Sequence, residues 1–159
     1  MKTNKWLSLA LLMLVFFTSC SSEDATPSSY VPQGDFDSGV LVLNEGNFGD
    51  INATMSFISF DLSRTQNDIF LGVNPGTILG NTAQSIGFNG NLAYIVVNVS
   101  NKIEIVNRYT MVKVGDITAG LESPRYIAFA NGKGYVTNWG SGVGGGTIKV
   151  IDLGSNSVT

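Results

Sequence analysis

The chain has 159 residues, 43% of them hydrophobic, with nine basic and twelve acidic side chains, one cysteine and no histidine. That length and apolar content suit one ordinary domain and exclude global disorder, and a slightly acidic balance excludes a basic nucleic-acid-binding surface. A lone cysteine excludes an intrachain disulfide, and the missing histidine excludes histidine-dependent triads, imidazole zinc sites and c-type haem attachment.

The first segment reads as an address. "MKTNKWLSLALLMLVFFTSC" places Lys2 and Lys5 before an uncharged run from Trp6 to Phe17, then small residues before Cys20. The run is too short to span a bilayer, which needs about 20 apolar residues. "FFTSC" resembles a bacterial lipobox, with Phe17 where leucine is commoner. The resemblance implies a signal peptide over residues 1–19, cleavage before Cys20 and acylation of Cys20; the bland alternative is a cleaved secretory peptide with an incidental thiol. Each buried methylene of such chains contributes about 0.8 kcal/mol, so two or three chains would anchor the protein to a membrane almost permanently.

Residues 20–38 continue as a Ser/Pro/acid stretch with little to bury, a flexible tether. Glu23 and Asp24 resemble the acidic export signals that send some lipoproteins to the outer face of the outer membrane. The expected localisation is therefore the outer membrane, lipid-anchored and cell-surface exposed, with solubility as the simpler reading of the acidic pair. From Gly39 onward seven basic and eight acidic residues leave the remainder nearly neutral.

Self-similarity then organises the chain. "SIGFNGNLAYIVVN" overlays "YIAFANGKGYVTN", with Ile86, Phe88 and Tyr94 meeting Ile127, Phe129 and Tyr135 at a spacing of 41; "KIEIVN" overlays "TIKVID" at a spacing of 45, and "FISFDL" is an earlier copy that matches "IEIVNR" and "IKVIDL". Each unit holds several short Val/Ile/Phe/Tyr runs separated by turn residues, and Asn89-Gly90 and Asn131-Gly132 signal tight type I′ hairpins. No segment after residue 20 carries a sustained helical stripe. The predicted strands are "VLVLN" after Gly39, then 83–88, 93–97, 102–106 and 111–117, then 126–130, 134–138 and 147–152.

Four-stranded units at this period predict an all-β chain, a partial β-propeller of about two to three four-stranded antiparallel blades. The blades fall near 39–82, 83–123 and 124–159, and the first lacks an inner strand. The expectation is an N-terminal fragment of a larger ring of roughly six to eight blades; the alternative is a small open assembly that oligomerises.

"PRYIAFANGKGYVTNWGSG" followed by "IKVIDLGSNSV" resembles the YVTN-type propeller repeat, well over residues 124–158 and more loosely over 83–123. "LVLNEGNFGDINATMSFISFD", "NLAYIVVNVSNKIEIVN" and "PRYIAFANGKGYVTN" resemble, together with the lipobox, the surface propeller lipoproteins that capture cobalamin for a TonB-dependent transporter. That resemblance implies a non-enzymatic protein whose partners are a small ligand of the corrinoid class and a transporter, with membrane contact through the lipid, no nucleic acid and no cofactor.

Strand reversal predicts a shared rim. Loops 44–50, 99–101 and 139–146 should emerge beside loops 74–81 and 119–125. Asn44, Asn98 and Asn138 each end a second strand, so they either point to that rim or cap their own turns. Glu45, Asn47, Phe48, Arg125 and Trp139 are the remaining ligand candidates, offering acceptors, a fixed cation and aromatic faces; Phe48 and Trp139 could equally be packed loop residues. Gly140, Gly142 and Gly145 satisfy G-x-G-x-x-G but run into a strand rather than opening a helix, so nucleotide binding is not expected. Glu45 and Asp50 lack the spacing of a calcium loop or a placed carboxylate pair. The alternatives to a nutrient-binding module are a propeller enzyme, lactonase-like or quinoprotein-like, with its active site in blades outside this chain, or a protein-binding envelope scaffold.

Overall fold

Alternation of period two, broken by short polar turns, dictates strands that reverse on themselves, and the computed structural model of the chain is built from them. It describes residues 30–140 and 144–159. The lipobox, Cys20, most of the tether and Gly142 lie outside those residues. Among the described residues no helix is long and apolar enough to cross a membrane.

Among the described residues eleven strands make three antiparallel sheets. The first holds β1 (Gly39–Asn44), β2 (Thr54–Ser59) and β3 (Thr65–Gln66) in the order β1-β2-β3. A five-residue helix, α1 (Ile69–Val73), follows. The second holds β4 (Ala83–Asn89), β5 (Leu92–Val97), β6 (Lys102–Asn107) and β7 (Lys113–Ile117); the third holds β8 (Pro124–Ala130), β9 (Lys133–Asn138), β10 (Thr147–Asp152) and β11 (Ser157–Val158). Neighbours in sequence are neighbours in each sheet, as a partial propeller requires.

The middle sheet is covered on both faces, which explains its near-continuous apolar runs. Along β5, Ala93, Ile95 and Val97 enter one core with Met55, Phe57 and Phe70, while Tyr94 and Val96 enter a second with Ile103, Ile105, Val136 and Ile151. Each such fully buried Ile, Val or Phe contributes about 1.5–3 kcal/mol relative to exposure. In the third sheet, β8 alternates instead: Ile127 and Phe129 face the second core, and Tyr126 and Ala128 are exposed. Gly87 permits this approach, since a Cβ there would lie 2.6 Å from Ile127 Cγ2 and 3.0 Å from Phe129 Cε2.

One charge, Glu104, is buried, and two partly exposed lysines reach it. Glu104 Oε1 takes a 2.6 Å bond from Lys102 Nζ and its Oε2 lies 2.9 Å from Lys113 Nζ. Burial alone would push the Lys113 ammonium down, but Asp116 and Glu104 outweigh it and hold it above its ordinary value.

Several expectations are corrected in detail. The helix α1 escapes a periodicity search because only Ile69 and Phe70 are buried in it; Asn74 fastens its end, donating to Phe70 O and Met111 O and accepting from Lys113 N. The strand expected from Met111 begins at Lys113, because Met111 has a positive φ of 57°. A fourth strand, β11, completes the third sheet after Asp152 Oδ1 accepts from the N–H groups of Gly154 and Ser155. Positive φ at both central residues holds at Asn131-Gly132, but at the other hairpin Gly90 alone has it. There Asn89 pairs with Leu92, so the turn residues are Gly90-Asn91.

The earlier copy is also shifted. "FISFDL" equates Asp61 with Asn107 and Asp152, yet Ser59 occupies the matching ladder position: Ser59 N donates to Arg64 O as Asn107 N donates to Val112 O.

Candidate functional site

The expected rim exists as a continuous run of bonds between connecting segments. Ala53 N donates to Gly80 O and Ala83 N to Glu45 O, tying the β1–β2 loop to the segment entering β4. Asn81 N then bonds Ser100 Oγ at 2.9 Å, and Asn98 N bonds Thr82 O. Ser123 N donates to Asn101 Oδ1 at 2.6 Å, carrying the run to the segment entering β8. Trp139 N closes it on Ser123 O at 3.0 Å, and Gly140 N on Glu122 O.

At one end of this run lies the "NEGNFG" loop. Gly46 turns it with φ 78°, where a Cβ would lie 2.4 Å from Asn52 Oδ1. Asn52 Oδ1 accepts from Asn47 N at 2.9 Å, and Asn47 Nδ2 reaches Asp50 Oδ2 at 3.3 Å. The loop is thus held by its own polar groups, with Glu45 and Asn47 exposed and Phe48 85% exposed at its tip. At the other end, the Arg125 guanidinium lies 4.7 Å above the Trp139 ring. Trp139 is 64% exposed.

The three asparagines do not share the rim. Asn44 Nδ2 bonds Thr54 Oγ1 and Ser56 Oγ, each at 3.0 Å, across the face of the first sheet. Asn98 is buried, its Nδ2 donating to Pro124 O at 2.9 Å in the third sheet. Asn138 is buried too, and neither side-chain atom has a hydrogen-bond partner among the described residues. The cause is parity. "YIVVN" is one residue longer than "YVTN", so Asn98 faces the following sheet while Asn138, with Gly134 and Val136, faces the preceding one.

A concavity missed by sequence reasoning lies at the opposite end of the first sheet. About 540 Å3 in volume, it is lined by Asp35, Ser38, Phe57, Phe60, Asp61 and Arg64, among others. Arg64 stacks over Phe57 and Phe36, at 4.7 and 5.5 Å, and donates to Asp35 O. Its cation is therefore already committed. "FDLSR" reads as a turn and carries no signal of a cavity. Among the described residues no cluster of three or more His, Cys, Asp or Glu side chains could hold a metal ion.

Three antiparallel sheets stacked through two apolar cores, with their connections bonded along one rim, define a partial β-propeller. The chain belongs to the family described as domain of unknown function DUF5074, whose model matches residues 38–157. No curated protein matches the sequence. Among solved structures the chain is similar to the hydrazine synthase of Kuenenia stuttgartiensis, a β-propeller-containing protein, with a TM-score of 0.60 and 17% identity. That match covers 77% of this chain and 33% of the other, so the chain spans about a third of the structure it resembles, and the likeness is one of fold. The computationally designed Ika8 protein is similar at a TM-score of 0.47 and 10% identity, over 79% of this chain and 36% of that one.

Proposed function

We propose that the chain is a non-enzymatic binding module of a lipid-anchored surface lipoprotein, capturing a corrinoid nutrient for a TonB-dependent outer-membrane transporter. The observation that carries the reading is the bonded rim, which holds a bare aromatic side chain, Phe48, on one loop and a stacked cation and indole, Arg125 at the start of β8 and Trp139 just after β9. Such a surface suits a ligand with polar groups and flat apolar parts. The lipobox resemblance around Cys20 supplies the anchor, and the resemblance over residues 41–139 supplies the ligand class. Asn98 and Asn138, being buried, support the rim rather than touch the ligand; Glu45 and Asn47 line it.

The test is equilibrium binding of cobinamide and cobalamin to the full chain by calorimetry. Saturable binding is expected, weakened about tenfold or more in Phe48→Ala and Trp139→Ala, since truncating an aromatic anchor costs upwards of 1.4 kcal/mol. No detectable heat with either corrinoid would remove the ligand assignment.

A further inference from the structure

We propose that the Arg125–Trp139 pair is a subsite for one chemical feature, an oxyanion carried next to a planar ring. This rests on the rim being a ligand surface and goes beyond it in naming what part of a ligand binds there.

Both members of the pair are held before any ligand arrives. Arg125 lies near the start of β8, and its carbonyl accepts a 2.7 Å bond from Ser85 Oγ of the neighbouring sheet. Trp139 follows β9, with its backbone N–H on Ser123 O. A guanidinium 4.7 Å above the indole occupies one face of that ring. The 64% exposure of Trp139 leaves indole surface open to a second ring.

Arg125 forms no ion pair among the described residues, and the acid beside the pair is Glu122, whose Oε2 lies 4.0 Å from where a Cβ on Gly140 would stand. The ion pairs fall on Lys102 and Lys113. Arg64 and Arg108 each stack on two rings, Arg64 over Phe36 and Phe57, and Arg108 over Phe88 and Tyr109. Arg125 stacks on one, and its guanidinium makes no hydrogen bond among the described residues, so the edge of its fork remains for an acceptor. A guanidinium fork presents paired N–H donors that match the oxygens of a carboxylate or phosphate, and stacking on an aromatic face orients the fork without consuming those donors. A ligand that offers an oxyanion to the fork and a ring to the indole uses both groups at once. Neither feature alone would.

Calorimetric titration of the full chain with 1-naphthyl phosphate, 1-naphthol and inorganic phosphate separates the two contributions. The phosphate ester should bind about tenfold tighter than either of the others. Arg125→Gln should abolish that advantage while leaving 1-naphthol unchanged, and Arg125→Lys should recover only part of it, because an ammonium keeps the charge without the planar fork. Thermal midpoints matching the parent chain show that the variants fold. Equal affinities for the ester and 1-naphthol, or an Arg125→Gln variant that binds the ester as the parent does, would overturn the proposal. The two readings fail separately. Corrinoid binding that survives Arg125→Gln, beside an ester that shows no advantage, sinks the subsite alone; the expected ester behaviour beside absent corrinoid binding sinks the corrinoid assignment alone.

Discussion

Asp61 shows how far single residues can be read. Its carboxylate accepts from Ser59 Oγ at 2.6 Å, then from the N–H and hydroxyl of Ser63, and these bonds pull its pKa from 3.8 to about 2. A lowered folded-state value means that the contribution of this turn is complete above the unfolded pKa and is lost as pH falls from near 3.8 toward 2. The group is fully exposed, so solvent screens the effect on global stability. Carboxyl 13C chemical shifts should place the Asp61 midpoint near 2, and a midpoint near 4 would show that the serine bonds do not persist in solution. The sequence reads Asp61 as part of the strand copy "FISFDL", whereas the strand ends at Ser59 and Asp61 lies in the turn; the two serines that clamp the carboxylate were not legible either, because equal spacings serve several turn geometries. The same limit governs the rim. Phe48 and Trp139 were recognisable by type and loop position, and Arg125 by type, although it was expected to end a loop and instead lies in β8; the buried fates of Asn98 and Asn138 depended on one residue of strand length.

Among the elements, the contact between β4 and β8 is the most exposed to test. Gly87 has ordinary backbone geometry, so what it supplies is space for Ile127 and Phe129. Gly87→Ala should destabilise the chain by about 1–3 kcal/mol in urea unfolding, the usual cost of overpacking. The repeat-equivalent Ala128 is exposed, and Ala128→Ser there should change stability by less than about 0.5 kcal/mol. Equal effects at the two positions would contradict the stacking order of the sheets. Most strands were visible in the sequence because β-branched and aromatic runs between turn residues are local signals. The helix α1 and the two-residue strands β3 and β11 were not, since each is too short to show a period and is held by contacts with chain elsewhere.

At the scale of the molecule, three sheets share two cores, and the outermost faces keep apolar side chains in solvent. Tyr126 and Ile148 are 55% and 67% exposed on the third sheet, and Val40 is 51% exposed on the first. Exposed apolar sheet surface favours association. Ile148→Lys should therefore lower concentration-dependent self-association in sedimentation while leaving the thermal midpoint of the 159-residue chain unchanged; undiminished association would show that another surface is responsible. Unaided, the sequence determined that the chain is a succession of antiparallel sheets, which connections cluster at one end, and that no histidine chemistry is available. Those properties follow from residue type, period and chain reversal, all of which act locally. Tertiary structure alone decided which face each asparagine takes, where a glycine must yield space, and that Arg125 rests on Trp139. These depend on the register of one sheet against the next, where a shift of one residue exchanges inside for outside.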